Sequence, residues 1–206
     1  MPSALDEVHP IFSLHSLASS PEFCNFAVLE GLSAALRNVI TEPALPHTPM
    51  KTLHQTVSYQ SWAESELSEA DARLVQAARE ACTSSYSPYS HFRVGAAVLL
   101  QNGEVICGSN QENAAFPATI CAERCAMFYA NARYPQVAPT AIAIAARTPA
   151  GDFTEHPVSP CGVCRQVLVE SQQRYGLPLR VLLCGRSEIY AFDSCSDLLP
   201  FQFDSF

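Results

Sequence analysis

Charge is what this chain has least of. Only 16% of its 206 residues are Asp, Glu, Lys or Arg, and 12 basic residues face 20 acidic ones, for a formal net charge of −8. A binder of polyanions needs the opposite balance, so the bulk electrostatics argue against nucleic acid and against an anionic membrane surface. The first Lys or Arg is Arg37, no basic region precedes an apolar stretch, and no apolar run reaches the roughly eighteen residues of a membrane span. Neither secretion nor membrane insertion is therefore expected, and the cytoplasm is the expected location. There is also no second C-x-x-C and no H-x3-H, which removes the fourth ligand that a closed structural zinc knot wants. Hydrophobic residues make up 48% of the chain, a share that points to surface buried against other subunits.

Cysteine, by contrast, is plentiful. Nine occur, without the spacing of a disulfide scaffold, as in a reducing compartment. Cys161 and Cys164 form a C-x-x-C, a bite that lets two thiolates reach one tetrahedral metal, and Cys121 offers a third from a distant segment. Three protein ligands leave one zinc position open for water, the arrangement of a catalytic site. Glu123, two residues after a ligand at a helix start, can face that position and carry protons without binding the metal. A C-x-x-C is elsewhere a redox pair or half of a structural zinc knot. A dithiol needs no distant third cysteine, however, and a knot needs a fourth ligand.

Residues 1–49 hold six of the fifteen prolines, a single basic residue and one helix-like stretch, Phe26 to Ile40. They are read as an N-terminal extension, disordered or the product of a start assigned upstream of a true one near Met50, with a regulatory or docking arm as the alternative, and the domain proper over 50–206. Ser68 caps a helix carrying Leu74, Val75, Ala78 and Ala81 at helical spacing. A turn at Ser84 to Ser90 leads to a strand over Phe92 to Leu100, then a hairpin at Asn102-Gly103 and a returning strand, Val105 to Ser109. A helix over Cys121 to Ala132, a strand over Ala141 to Ala146 and a helix from Pro160 to about Tyr175 follow. Strands Leu179 to Cys184 and Glu188 to Phe192 are linked by only Gly185-Arg-Ser187, which demands an antiparallel pair.

Four segments occur in order: S-P-Y-S-H-F-R-V-G-A-A (Ser87 to Ala97), N-Q-E-N-A (Asn110 to Ala114), C-A-E-R (Cys121 to Arg124) and P-C-G-V-C-R-Q (Pro160 to Gln166). Together they resemble cytidine deaminase of the homotetrameric, three-cysteine type, over roughly Ser68 to Phe206. With the element order, the resemblance implies an α/β fold: three layers, α/β/α, around a central mixed five-stranded sheet. It implies zinc on Cys121, Cys161 and Cys164, Glu123 as proton carrier, and hydrolysis of cytidine and 2′-deoxycytidine to uridine and 2′-deoxyuridine in pyrimidine salvage.

Asn110 and Glu112 resemble the family's ribose-binding pair, and Glu112 would repel a phosphate, favouring a free nucleoside. Phe92 resembles the aromatic against the pyrimidine, although a plain core residue is the competing reading. Ala114 and Phe116 fall in the substrate loop, where Phe116 replaces a common Tyr and leaves the sugar's 5′-hydroxyl without that partner. Phe203 resembles a C-terminal aromatic that reaches a neighbouring subunit's site, with Phe201 and Phe206 as competitors. Arg124 would offset the charge of three thiolates, a task that Arg165 could share. His91 is read as a structural histidine.

The partners implied are a nucleoside and copies of the same chain in a homotetramer with shared sites, with neither nucleic acid nor membrane. Three other readings stay open: a deaminase of an aminonucleoside antibiotic, a nucleic-acid deaminase, and a zinc-stabilised interaction domain without turnover. The short link between the last two strands argues against the second, because deaminases of nucleic acid resemble a parallel pair joined by a helix there.

Overall fold

The computed structural model describes residues 51–204. The extension expected over 1–49, its helix-like stretch and the boundary at 49/50 lie outside the described residues. The regular elements are β1 (Gln60–Ala63), α1 (Glu69–Ala81), β2 (Arg93–Leu100), β3 (Val105–Ser109), α2 (Ala122–Arg133), β4 (Pro139–Arg147), α3 (Gly162–Tyr175), β5 (Arg180–Cys184) and β6 (Glu188–Phe192). All six strands join one mixed sheet in the order β1-β6-β5-β4-β2-β3. Only β4 and β5 run parallel, with α3 as their crossover; β5 and β6 are the antiparallel pair that their short link demanded.

The five expected strands are present, and the sheet count is corrected from five to six. The added strand, β1, is Gln-Ser-Trp-Ala, exposed at every position. Neither alternation nor apolar content marks it as a strand. It forms because β6 offers an open edge, pairing Gln60 with Ala191 through to Ala63 with Glu188. Tyr59, just ahead, stacks on Phe192 at 5.2 Å and meets Tyr190 at 4.9 Å.

The pleat sorts side chains by size into two cores. Along β4, Ala141, Ala143 and Ala145 face α1 together with Ala97, Leu182 and Ala191, while Ile142 and Ile144 face the opposite side with Ala96, Val98, Val181 and Leu183. Small residues on one face let α1 lie close, burying Leu74, Val75, Ala78 and Ala81 as their spacing predicts. The closest approach is at Gly95, where any Cβ would strike the Ala78 carbonyl. The larger face is covered by α2 and α3. A Cβ at Gly108 on β3 would meet Ala126 N at 2.5 Å and Ala122 O at 2.7 Å, so glycine is what seats α2.

Helix α1 starts as its sequence says, Ser68 Oγ accepting from Asp71 N at 3.1 Å. Gly103 turns the β2–β3 hairpin with φ +87°. Because β2 is antiparallel to both β3 and β4, its first residues lie at the sheet end where those two strands finish. The chain passes from there into α2 and α3. The starts of two helices and of one strand thus converge at one end of the sheet, where α/β proteins commonly place ligands.

Candidate active site

Cys121 and Cys161 are the N-caps of α2 and α3, and Cys164 lies in the first turn of α3. Their three sulfurs lie within 4.8 Å of one another, with Cys121 to Cys161 at 4.0 Å and Cys161 to Cys164 at 3.5 Å. A tetrahedral zinc with bonds of about 2.3 Å sets its sulfurs about 3.8 Å apart, so the three fit zinc with its fourth position open. Helix N-termini favour thiolates through their unpaired N–H groups and dipole. A hydrogen bond from Cys164 and the neighbouring Arg124 push the Cys121 thiol from 9.0 down to about 5. Cys164 moves upward, since it shares its hydrogen with that thiolate and is itself buried.

Glu123, in the first turn of α2, is 4% exposed. Burial pushes its carboxyl above the ordinary carboxylate range, and the negative charge at Cys121 adds to the shift. A carboxyl shifted in this direction holds a proton more readily than an exposed one, which suits a group that takes and returns protons. Arg124 and Arg165, which the sequence could not rank, are separated by the geometry. Arg124 Nη2 lies 4.0 Å from Cys121 Sγ and donates to Thr119 O at 3.2 Å. Arg165 instead donates to Pro160 O and Leu198 O, at 2.8 and 2.9 Å.

A cavity of about 320 Å³ opens beside the sulfurs, lined by Glu123, Cys121, Cys161, Phe92, Asn110 and Glu112 together with Ser90, Thr119 and Ser159. Glu112 accepts from Ser90 Oγ at 2.5 Å, Tyr89 N at 2.9 Å and Ser90 N at 3.3 Å. The serine hydroxyl first, then the Tyr89 amide, hold its carboxyl below the usual range, so it stays an ionised acceptor. Asn110 is committed to the fold. Its Oδ1 accepts from Ser85 Oγ at 2.6 Å and Val94 N at 2.8 Å, and its Nδ2 donates to Phe92 O at 2.9 Å. One N–H remains to face a ligand, so Asn110 braces the wall that Phe92 and Val94 form.

Other expected residues lie elsewhere. Phe116 borders an adjoining hollow with Tyr89, Ser90, Glu112 and Thr119, its ring 6.4 Å from Tyr89 in an edge contact. Ala114 is exposed on the same loop and does not line the cavity. Phe203 edges a separate groove between α2 and α3. His91 adopts φ +56° in the turn before β2, its backbone N–H donating to Ser87 O at 3.0 Å. The main omission in reading the sequence is Ser90, whose place inside S-P-Y-S-H-F was the signal. Ser159, next to the second cysteine motif, is another.

The model of the cytidine and deoxycytidylate deaminase zinc-binding region matches residues 68–175. A cytidine deaminase of Halalkalibacterium halodurans is 46% identical over 99 residues, 47% of this chain and 68% of that one. A cytidine deaminase of Sporosarcina psychrophila is 43% identical over 98 residues, 48% of this chain and 67% of the other. The crystal structure of cytidine deaminase from Burkholderia pseudomallei superposes with a TM-score of 0.53 at 38% identity, covering 64% of this chain and 97% of that one. The matched region holds all four motifs and takes in both helix starts that carry the sulfurs. By sequence over more than half its length, and by fold, this chain belongs to the cytidine deaminase family.

Proposed function

We propose that the chain hydrolyses cytidine and 2′-deoxycytidine to uridine and 2′-deoxyuridine, as a step of pyrimidine salvage in the cytoplasm. The observation that carries the reading is the buried Glu123 carboxyl sharing one cavity with the sulfur cluster and with the ionised Glu112. Zinc held by Cys121, Cys161 and Cys164 would supply an acidified water at its fourth position.

The chain's own groups do the rest. Glu123 takes a proton from the attacking water and delivers it to N3 of the pyrimidine as oxygen adds at C4. It then carries a proton to the amine at C4; the C–N bond breaks, ammonia leaves and a carbonyl remains. Arg124, beside Cys121, holds that sulfur as thiolate. Phe92 offers a face to the base, while Glu112 accepts from a sugar hydroxyl and repels a 5′-phosphate. Asn110 supports them, with one N–H for the sugar.

The assembly proposed is a homotetramer. Apolar side chains stand exposed on the outer faces of α2 and α3 (Phe128, Tyr129 and Val163) and on the tail (Phe201 and Phe203), a patch that copies of the chain would cover. Phe203, which does not line the cavity of its own chain, would then serve a neighbour's, while Ala114 and Phe116 belong to the loop at the substrate's sugar end. Among the described residues no helix is long and apolar enough to cross a membrane.

The test is the loss of cytidine absorbance on adding zinc-replete protein, with cytidine monophosphate and single-stranded DNA run in parallel and light scattering for mass. Turnover of both nucleosides by a tetramer, with neither phosphorylated substrate touched, is the expected result. Zinc retention without nucleoside turnover would refute the function.

A further inference from the structure

Two residues of the Pro160–Gln166 motif play no part in the chemistry above. Arg165 bridges two carbonyls, with Nε on Pro160 O and Nη1 on Leu198 O. One end therefore fixes the peptide just before Cys161, and the other fixes the C-terminal segment. The side-chain amide of Gln166 closes a two-way pair with the backbone of Phe203: Nε2 donates to its O at 2.7 Å, and Oε1 accepts from its N at 3.2 Å. Further along α3, Gln172 accepts from Ser194 Oγ at 2.9 Å and Cys195 Sγ at 3.4 Å, and donates to Ser196 Oγ at 2.9 Å. The helix that presents two cysteines thus carries the C-terminal segment along its side.

Phe201 is 91% exposed and Phe203 67%, so neither is an anchor by burial. Beyond the buried Leu198, Gln166 pins the backbone at Phe203 on both its N–H and its C=O, which sets the direction of that residue's Cα–Cβ bond. Phe203 lies along a groove of about 530 Å³ bordered by Phe128, Val167 and Gln166 itself.

We propose that Arg165 and Gln166 are positioning residues that fix the register of the C-terminal segment on α3, so that Phe203, and not Phe201, is the side chain presented for substrate binding at a second copy of the chain. This rests on the deaminase and shared-site reading above. The aromatic arm is held by hydrogen bonds from the same motif that carries two sulfurs, and shortening or lengthening the tail by one residue would carry the wrong side chain to the neighbour.

The experiment combines hydrogen exchange at the Phe203 amide with cytidine kinetics, on full-length zinc-replete wild type, Gln166→Leu, Gln166→Glu, Phe203→Ala and Phe201→Ala. Losing both hydrogen bonds in Gln166→Leu speeds exchange at Phe203 about tenfold and raises KM about tenfold, with kcat within about twofold of wild type. Gln166→Glu keeps the acceptor for Phe203 N and falls between, and it tests the clamp should the leucine variant fold poorly. Phe203→Ala raises KM without added effect from Gln166→Leu, because both act through one side chain, while Phe201→Ala leaves KM unchanged. Unaltered exchange at Phe203 in the leucine variant overturns the clamp, and a KM change on Phe201→Ala alone overturns the register. Loss of stability and kcat with KM intact makes the pair merely structural and also overturns the proposal. A wild type that does not deaminate cytidine defeats the parent reading instead, and exchange at Phe203 then decides the clamp by itself.

Discussion

Replacing Asn110 by alanine removes three hydrogen bonds at one stroke: from Ser85 Oγ, from Val94 N and to Phe92 O. Each neutral bond is worth about 1 kcal/mol net, and a half-buried N–H left without a partner costs at least as much, so the loss is about 3 kcal/mol. With an m-value of about 2 kcal/mol per molar, the urea midpoint falls by about 1.5 M. Asn110→Asp keeps an acceptor for Ser85 and Val94 but loses the donor to Phe92 O, and it should fall by roughly a third to a half as much. The assay is urea unfolding followed by fluorescence, at one protein concentration and saturating zinc, since assembly and metal both shift the apparent stability. If Asn110→Ala unfolds within about 0.5 kcal/mol of wild type while KM for cytidine rises, Asn110 is a sugar ligand rather than a brace, and the reasoning from its hydrogen bonds is wrong.

Arg124→Gln removes the cation beside Cys121, raising that thiol toward its ordinary 9.0 and letting protons compete better for the sulfur. Zinc affinity, measured by chelator competition, should fall about 10- to 100-fold, and further at acidic than at alkaline pH. His156 Nδ1 lies 2.8 Å from Glu188 Oε1. Hydrogen bonding to Glu188, then its charge, raises the imidazole above its ordinary 6.5. A raised folded value means the contribution to stability is whole below 6.5 and disappears as pH climbs through the folded value. The melting temperature of His156→Gln should therefore lie below that of wild type near pH 5.5 and match it near pH 8.5, by about a degree or less because the pair is exposed.

Much of this was legible because it depends on local chemistry. β3 and β6 fall on the residues that hydrophobic pattern and turn signals marked, and the three-residue link forced β5 and β6 to be antiparallel. The sulfur cluster was legible because a C-x-x-C and a third cysteine at helix starts can satisfy one tetrahedral ion. What escaped depends on tertiary partners. β1 is a strand only because β6 leaves an edge open and Tyr59 finds Phe192 and Tyr190. Arg124 and Arg165 each follow a site residue by one position, so it takes their three-dimensional partners, Cys121 Sγ for one and Pro160 O and Leu198 O for the other, to separate their roles. Ser90 acquires a role through Glu112, twenty-two residues away in sequence.

Glu123 is proposed as the proton carrier of a zinc deaminase, and Glu123→Gln isolates that role, because the change keeps size and removes the ability to take and return a proton. Turnover of cytidine and bound zinc are measured on the same sample. The expected result is one zinc per chain and turnover lower by about 10²- to 10⁴-fold, with cytidine still bound. A variant that keeps its zinc and still converts cytidine within about tenfold of the wild-type rate would contradict it.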